Sequence, residues 1–113
     1  MASCKAMTVT DVLSRLGVTE GQIVDFCRRW HIIELAIFGS AARDEMRPDS
    51  DVDVMVEYAP GTYLGPWMHD FFDAREELER LFGREVDLMK KGPIPNPYRR
   101  ASIMRDLTVL YAA

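Results

Sequence analysis

The sequence predicts a small mixed α/β fold in which helices cover one face of a β-sheet. Three observations lead to this prediction. Helix and strand patterns alternate along most of the chain, which favours a mixed sheet with helices packed against it. Hydrophobic residues make up 48% and charged residues 28% of the chain, which is typical of soluble globular proteins. The length of 113 residues suits one compact domain, since such domains commonly contain about 100 to 150 residues. We therefore expect a single domain over residues 1–113.

The first third of the chain predicts two helices and a strand. A short helical pattern covers 10–16. The second helix, over 19–30, starts with Thr19 and Gln22 at the spacing of a capping box and has apolar residues at i, i+3, i+4 and i+7. The apolar run 32–38 then predicts a buried strand, which ends in a glycine-serine turn and a short helix over 41–45.

The remaining elements follow from alternation and from turn residues. Residues 51–58 alternate as a strand does, after a turn rich in Pro, Asp and Ser. A loop rich in Gly and Pro leads to a helix over 67–82, whose aromatic residues Trp67, Phe71 and Phe72 are expected in the core. Residues 85–89 form a strand and 98–105 a helix. Residues 108–111 are either a last strand or simply the end of the chain.

Composition and charge exclude several classes of protein. Fourteen basic and 18 acidic residues give a net charge of −4, the wrong sign for a protein that binds a phosphate backbone directly, so no nucleic-acid partner is expected. Cys4 and Cys27 form no CxxC pair, which argues against a disulfide framework and a zinc site. No signal-like start and no long apolar run is present, so we expect a cytoplasmic protein that does not contact a membrane.

Three aspartates are candidate metal ligands. Residues two apart on a strand face the same side, so Asp51 and Asp53 share one face while Val52 and Val54 face the core. Neighbouring like charges cost stability unless a cation lies between them, and hard oxygen ligands suit Mg²⁺. Asp87 joins the pair if its strand lies beside theirs, and three carboxylates with bound phosphates form a two-metal site. The alternative for Asp51 and Asp53 alone is the polar face of an ordinary strand, although aspartate is a poor strand former.

A candidate phosphate site lies in the turn of Gly39 and Ser40. Backbone N–H groups at a helix start favour an anion, and a glycine lets a phosphate approach the backbone. The Ser40 hydroxyl can donate to a phosphate oxygen, and its alternative role is to cap the following helix. Arg43 can bind phosphate with bidentate hydrogen bonds. Its alternative role is a salt bridge to an acidic neighbour, namely Asp44, Glu45 or Asp49.

Two segments of the sequence resemble the minimal nucleotidyltransferases of the DNA polymerase beta superfamily. They are Gly-Ser-Ala-Ala-Arg-Asp-Glu at 39–45 and Pro-Asp-Ser-Asp-Val-Asp at 48–53. The resemblance covers roughly residues 35–89, and residues 96–103 show a weaker similarity to the C-terminal part of these proteins. It implies the palm-like nucleotidyltransferase fold of that superfamily. It also implies a nucleotide site at Gly39, Ser40 and Arg43 and a catalytic Mg²⁺ site at Asp51, Asp53 and Asp87.

The resemblance implies an activity and a partner. Stand-alone members resemble the antitoxins of HEPN/MNT toxin–antitoxin pairs, so we expect transfer of AMP from ATP, with two Mg²⁺ ions, to a hydroxyl of a HEPN toxin. A tyrosine is the expected acceptor. An alternative hypothesis from another class is a non-catalytic antitoxin that neutralises its partner by occlusion, and a third is a nucleotide-sensing domain. Self-association and assembly with the toxin both stay open.

Overall fold

The computed structural model describes residues 8–43 and 50–113. Four strands form one sheet in the order β3-β2-β1-β4. Strand β1 (Ile32–Phe38) pairs antiparallel with β2 (Val52–Tyr58) and with β4 (Thr108–Ala112), whereas β2 pairs parallel with β3 (Val86–Lys90). The mixed sheet predicted from the sequence is confirmed. The last residues form a fourth strand, which decides the alternative that the sequence left open.

Three helices cover one face of the sheet. They are α1 (Val9–Leu16), α2 (Glu20–Arg29) and α3 (His69–Phe82), and their apolar residues pack in the main core with the inward side chains of β2. Both α1 and α2 begin with a capping box, and the box predicted for α2 is confirmed by a 3.1 Å hydrogen bond from the Gln22 N–H to the Thr19 hydroxyl. These reciprocal hydrogen bonds satisfy N–H groups that a helix start leaves unpaired.

The fourth helix, α4 (Pro97–Asp106), departs from the prediction that all helices share one face. Its buried residue Ile103 packs against Phe38 and Met55 in a second, smaller core. These two side chains belong to the face of the sheet opposite the main core, because neighbouring strand residues point to opposite sides. Apolar side chains on the second face need a cover, and α4 provides it.

Two local features differ from the sequence prediction. A 3₁₀ turn, Gly39–Ala42, follows β1 in place of the predicted helix over 41–45, whose residues 44 and 45 lie outside the described residues. Helix α3 starts at His69 rather than at Trp67, because Trp67 and Met68 both have a left-handed φ of 57°. Trp67 is consequently 95% exposed and Phe72 49% exposed, so only Phe71 of the three expected aromatic residues lies in the core. In the part of the chain that the structure describes, no helix has the length and apolar character needed to cross a bilayer.

Candidate active site

The parallel pairing of β2 and β3 places Asp53 directly beside Asp87. The two residues are register partners, and their neighbours Val54 and Leu88 point into the main core. Both aspartates therefore belong to the face that α4 covers. Asp51 lies just before β2, at the same end of the sheet. Asp53 is partly buried, while Asp51 and Asp87 are exposed. The structure thus brings the three predicted carboxylates together at one end of the sheet.

The pKa of Asp53 depends on burial and on the charges around it. Burial raises the pKa of Asp53 above its usual value, and the charges of Asp87 and Asp51 raise it further. Arg99 and Arg43 oppose this effect and lower the pKa. A carboxylate held near two others is stabilised by a divalent cation, and an all-oxygen ligand set suits Mg²⁺. The residues present therefore fit a magnesium site.

The turn after β1 lies in contact with Asp53. Phe38 is the register partner of Asp53, and Gly39 follows it with a φ of 75°, a conformation that side chains rarely adopt. A Cβ atom at Gly39 would collide with the Asp53 carboxylate oxygen Oδ2. No side chain caps the start of the 3₁₀ turn. Ser40 lies within this turn rather than before it, so its alternative role as the helix cap is not realised.

Arg43 lies at the end of the same turn and is held by α4. Its Nη1 donates a 2.7 Å hydrogen bond to Oδ2 of Asp106, whose side chain is only 8% exposed. This partner lies 63 residues further along the chain and was not predicted from the sequence. The three acidic neighbours considered from the sequence lie in 44–49, outside the described residues.

Arg99 is the site residue that the sequence analysis missed. Arg99, Ile103 and Asp106 occupy positions i, i+4 and i+7 of α4, so they form one stripe along the helix. Ile103 packs on the sheet beside the aspartates, Asp106 binds Arg43, and the Arg99 charge acts on Asp53. The stripe spacing is visible in the sequence, but it does not reveal which side of the sheet α4 covers.

A separate cluster lies at the start of α3. His69 Nδ1 is 3.1 Å from Asp73 Oδ2 and 3.8 Å from Asp70 Oδ1. Among the described residues, these are the three side chains whose ligating atoms all lie within 4.8 Å of one another. The carboxylate oxygens of Asp51, Asp53 and Asp87 do not all lie within this distance of one another. The helix dipole favours an acidic residue in the first helical turn, where Asp70 lies, and Asp73 is the i, i+4 partner of His69, so neither aspartate needs a ligand.

Comparison with known sequences identifies the family. The sequence pattern of the nucleotidyltransferase domain matches residues 21–110, most of the chain. A relative from Methanocaldococcus jannaschii, named "Putative protein adenylyltransferase MJ1379", is 39% identical over 79 residues, which cover 70% of this chain and 77% of the relative. The matched region includes all the strands of the sheet except the end of β4.

Comparison with solved structures agrees. A structure described as a "putative minimal nucleotidyltransferase" has a TM-score of 0.63 and 27% identity, and the match covers 90% of this chain and 95% of the other. A toxin–antitoxin crystal structure with AMP-PNP matches with a TM-score of 0.63 and 16% identity, covering 85% and 75%. A complex of a tri-AMPylated Shewanella oneidensis HEPN toxin with an MNT antitoxin matches with a TM-score of 0.53 and 16% identity, and the match covers 83% of this chain and 70% of the other. These last two show a shared fold. The chain belongs to the nucleotidyltransferase domain family and is a nucleotidyltransferase.

Proposed function

We propose that this nucleotidyltransferase moves AMP from ATP to a hydroxyl of a partner protein, a HEPN toxin, and acts as its antitoxin. The observation that carries the proposal is the position of Asp53. It lies between the Gly39 turn on one neighbouring strand and Asp87 on the other. The turn proposed to bind phosphate is thereby in direct contact with a carboxylate proposed to bind metal, an arrangement suited to metal-dependent transfer of a nucleotidyl group.

The turn and the two arginines are suited to the nucleotide. Gly39 has no side chain to keep a phosphate from the backbone, and Ser40, the next residue of the turn, has a hydroxyl that can donate a hydrogen bond. Arg43 and Arg99 supply positive charge near Asp53. Together they offset part of the negative charge of a triphosphate, and they hold it beside the carboxylates.

Asp51, Asp53 and Asp87 are the residues that would hold magnesium. Bound Mg²⁺, two ions by the resemblance to polymerase-type enzymes, would lower the pKa of the acceptor hydroxyl and neutralise charge on the phosphates. Transfer requires the acceptor hydroxyl of the bound partner to lie in line with the α-phosphorus. Asp87 is exposed at the edge strand and can take the proton of the hydroxyl.

The names of the similar proteins support a protein acceptor. The relative that matches at 39% identity is named a protein adenylyltransferase, and the fold is shared with an antitoxin bound to an AMPylated HEPN toxin. The toxin–antitoxin structure with AMP-PNP supports ATP as the donor nucleotide. A tyrosine is the acceptor that the resemblance to HEPN/MNT antitoxins implies.

Transfer of label to the partner tests the proposal. The chain is incubated with a candidate HEPN partner protein, Mg²⁺ and ATP labelled at the α-phosphate. We expect label on the partner with this ATP and none with ATP labelled at the γ-phosphate, because pyrophosphate leaves. EDTA should abolish the transfer. Neutralisation of an unlabelled partner would instead favour occlusion, and nucleotide binding without any transfer would favour a nucleotide sensor.

A further inference from the structure

Asp106 is the last residue of α4, and its position is unfavourable for an acidic side chain. Only 8% of the side chain is exposed, so the charged group has little contact with water. The negative end of the helix dipole lies at the same place and disfavours a second negative charge. A charge that is kept at such a position points to a function that needs it.

Two arginines compensate the Asp106 charge through different carboxylate oxygens. Oδ2 accepts the 2.7 Å hydrogen bond from Nη1 of Arg43, while Oδ1 lies 3.5 Å from Nε of Arg105. Arg105 precedes Asp106 on the same helix and is 69% exposed, so it covers the carboxylate on the solvent side. Arg43 belongs to the turn after β1. Its hydrogen bond therefore joins the end of α4 to the turn that is proposed to bind phosphate.

The backbone of Arg43 is fixed as well. Its N–H donates a 3.2 Å hydrogen bond to the carbonyl oxygen of Ser40, which closes the 3₁₀ turn. A short charge-assisted hydrogen bond is strong enough to favour one orientation of a long side chain. Arg43 is therefore held at both ends, by the turn at its backbone and by Asp106 at its guanidinium.

Asp53 is a second possible partner for the same guanidinium. The positive charge of Arg43 lowers the pKa of Asp53, so the two groups interact even while Arg43 is bonded to Asp106. The negative charges of Asp87 and Asp51 act on Asp53 too, which makes its carboxylate attractive to any cation. A guanidinium that moved onto Asp53 would occupy a carboxylate that the proposed function assigns to Mg²⁺.

We propose that Asp106 is a positioning residue that holds the Arg43 guanidinium at the phosphate turn and keeps it from pairing with Asp53. The inference rests on the proposed function, which assigns Arg43 to the triphosphate and Asp53 to the metal. Asp106 thereby separates two groups of opposite charge that would neutralise each other in the empty site. Arg43 is kept for the nucleotide, and the aspartates are kept for the cation.

Cation affinity in a set of variants tests this role without any turnover. Mn²⁺ is the probe, and its binding to the nucleotide-free protein is measured by electron paramagnetic resonance. Asp106→Asn should weaken Mn²⁺ binding by roughly tenfold, because Arg43 loses a charge-assisted hydrogen bond and competes for Asp53. Adding Arg43→Gln to this variant should restore the affinity, since the competing guanidinium is then absent. The control Arg105→Gln, which removes the exposed arginine beside Asp106, should leave Mn²⁺ binding nearly unchanged.

A general loss of negative charge predicts a different pattern. It would weaken Mn²⁺ binding equally when Asp106→Asn is introduced into the wild type and into the Arg43→Gln variant. The positioning role predicts a large effect in the wild type and a small one in the Arg43→Gln variant. Equal effects in the two backgrounds, or no effect in either, would overturn the inference.

The Arg43 side chain can also be followed in the wild type, which covers the case in which Asp106→Asn does not fold. In ¹⁵N-labelled nucleotide-free protein, rotation of the Arg43 guanidinium should be slow on the NMR time scale, both with Mg²⁺ and without it. Fast rotation in the metal-free protein would overturn the inference, because Asp106 would then not hold the group. Failure of the proposed function has a different signature, because the wild type would then leave its protein partner unlabelled.

Discussion

Replacing Gly39 with alanine tests the contact on which the site depends. Gly39 has a φ of 75°, and a Cβ at this position meets the Asp53 carboxylate. The substitution therefore adds two separate costs. One is the strain of a left-handed conformation in a residue with a side chain, and the other is the displacement of the Asp53 carboxylate from its position beside the turn.

Control glycines separate the two costs. Gly17 and Gly83 have φ values of 72° and 71°, and a Cβ at either meets no atom within 4 Å. Alanine there should cost only the conformational strain, about 1 to 2 kcal/mol. Gly39→Ala should cost this amount plus the crowding of a packed site, about 1 to 3 kcal/mol. The difference from the controls corresponds to a fall in melting temperature of roughly 4 °C for each kcal/mol.

Urea unfolding of the nucleotide-free variants measures these costs, and label transfer measures function. We expect Gly39→Ala to lose transfer almost completely, whereas Gly17→Ala and Gly83→Ala keep it. In a Gly39→Ala, Asp53→Ala double variant the loss of unfolding free energy due to crowding should disappear, because the colliding carboxylate is absent. If Gly39→Ala unfolds like the controls and remains active, the turn and the carboxylate are not in contact as described.

Three further substitutions test other parts of the account. Arg99→Gln should raise KM for ATP by roughly tenfold, as expected for one charge-assisted hydrogen bond, and the control Arg100→Gln should change it far less in steady-state kinetics. Asp53→Asn should raise the melting temperature of the nucleotide-free protein at pH 7, because a raised pKa means that the charged form costs stability. This gain should shrink as the pH falls through the raised pKa of the folded state, and it should be absent below about 3.9, where the carboxyl is protonated in the unfolded chain as well. An unchanged gain at low pH in calorimetry would argue against a charge effect. Ile103→Ala should destabilise the fold by about 2 to 5 kcal/mol in urea unfolding, since Ile103 holds α4 on the sheet. It should also weaken ATP binding. Normal ATP binding by this variant would argue that Arg99 on α4 does not contribute to the nucleotide site.

Local patterns were sufficient to predict most of the sheet and the relation of Asp53 to Asp87. Both aspartates alternate with apolar residues on their strands, so their shared face follows from the period of two, and only the adjacency of the strands had to be assumed. The capping box of α2 is equally local, since it needs only Thr19 and Gln22.

The remaining features depend on tertiary contacts that no local pattern encodes. Helix α4 has a single buried residue, Ile103, so its sequence gives a weak signal of which surface it covers. The pairing of Arg43 with Asp106 and the approach of Arg99 to Asp53 both follow from that choice of face. Trp67 was expected in the core as part of the helix over 67–82, but Trp67 and Met68 have a left-handed backbone, α3 starts only at His69, and Trp67 is exposed.

We propose that this chain neutralises its partner by catalysis, and the intact mass of the partner distinguishes catalysis from occlusion. A candidate HEPN partner is co-expressed with the wild type or with the Asp51→Ala, Asp53→Ala double variant, and its intact mass is then measured by mass spectrometry. We predict that the wild type adds the mass of one or more AMP units and that the double variant binds the partner without modifying it. Partner of unchanged mass that the wild type and the double variant neutralise equally well would contradict the claim.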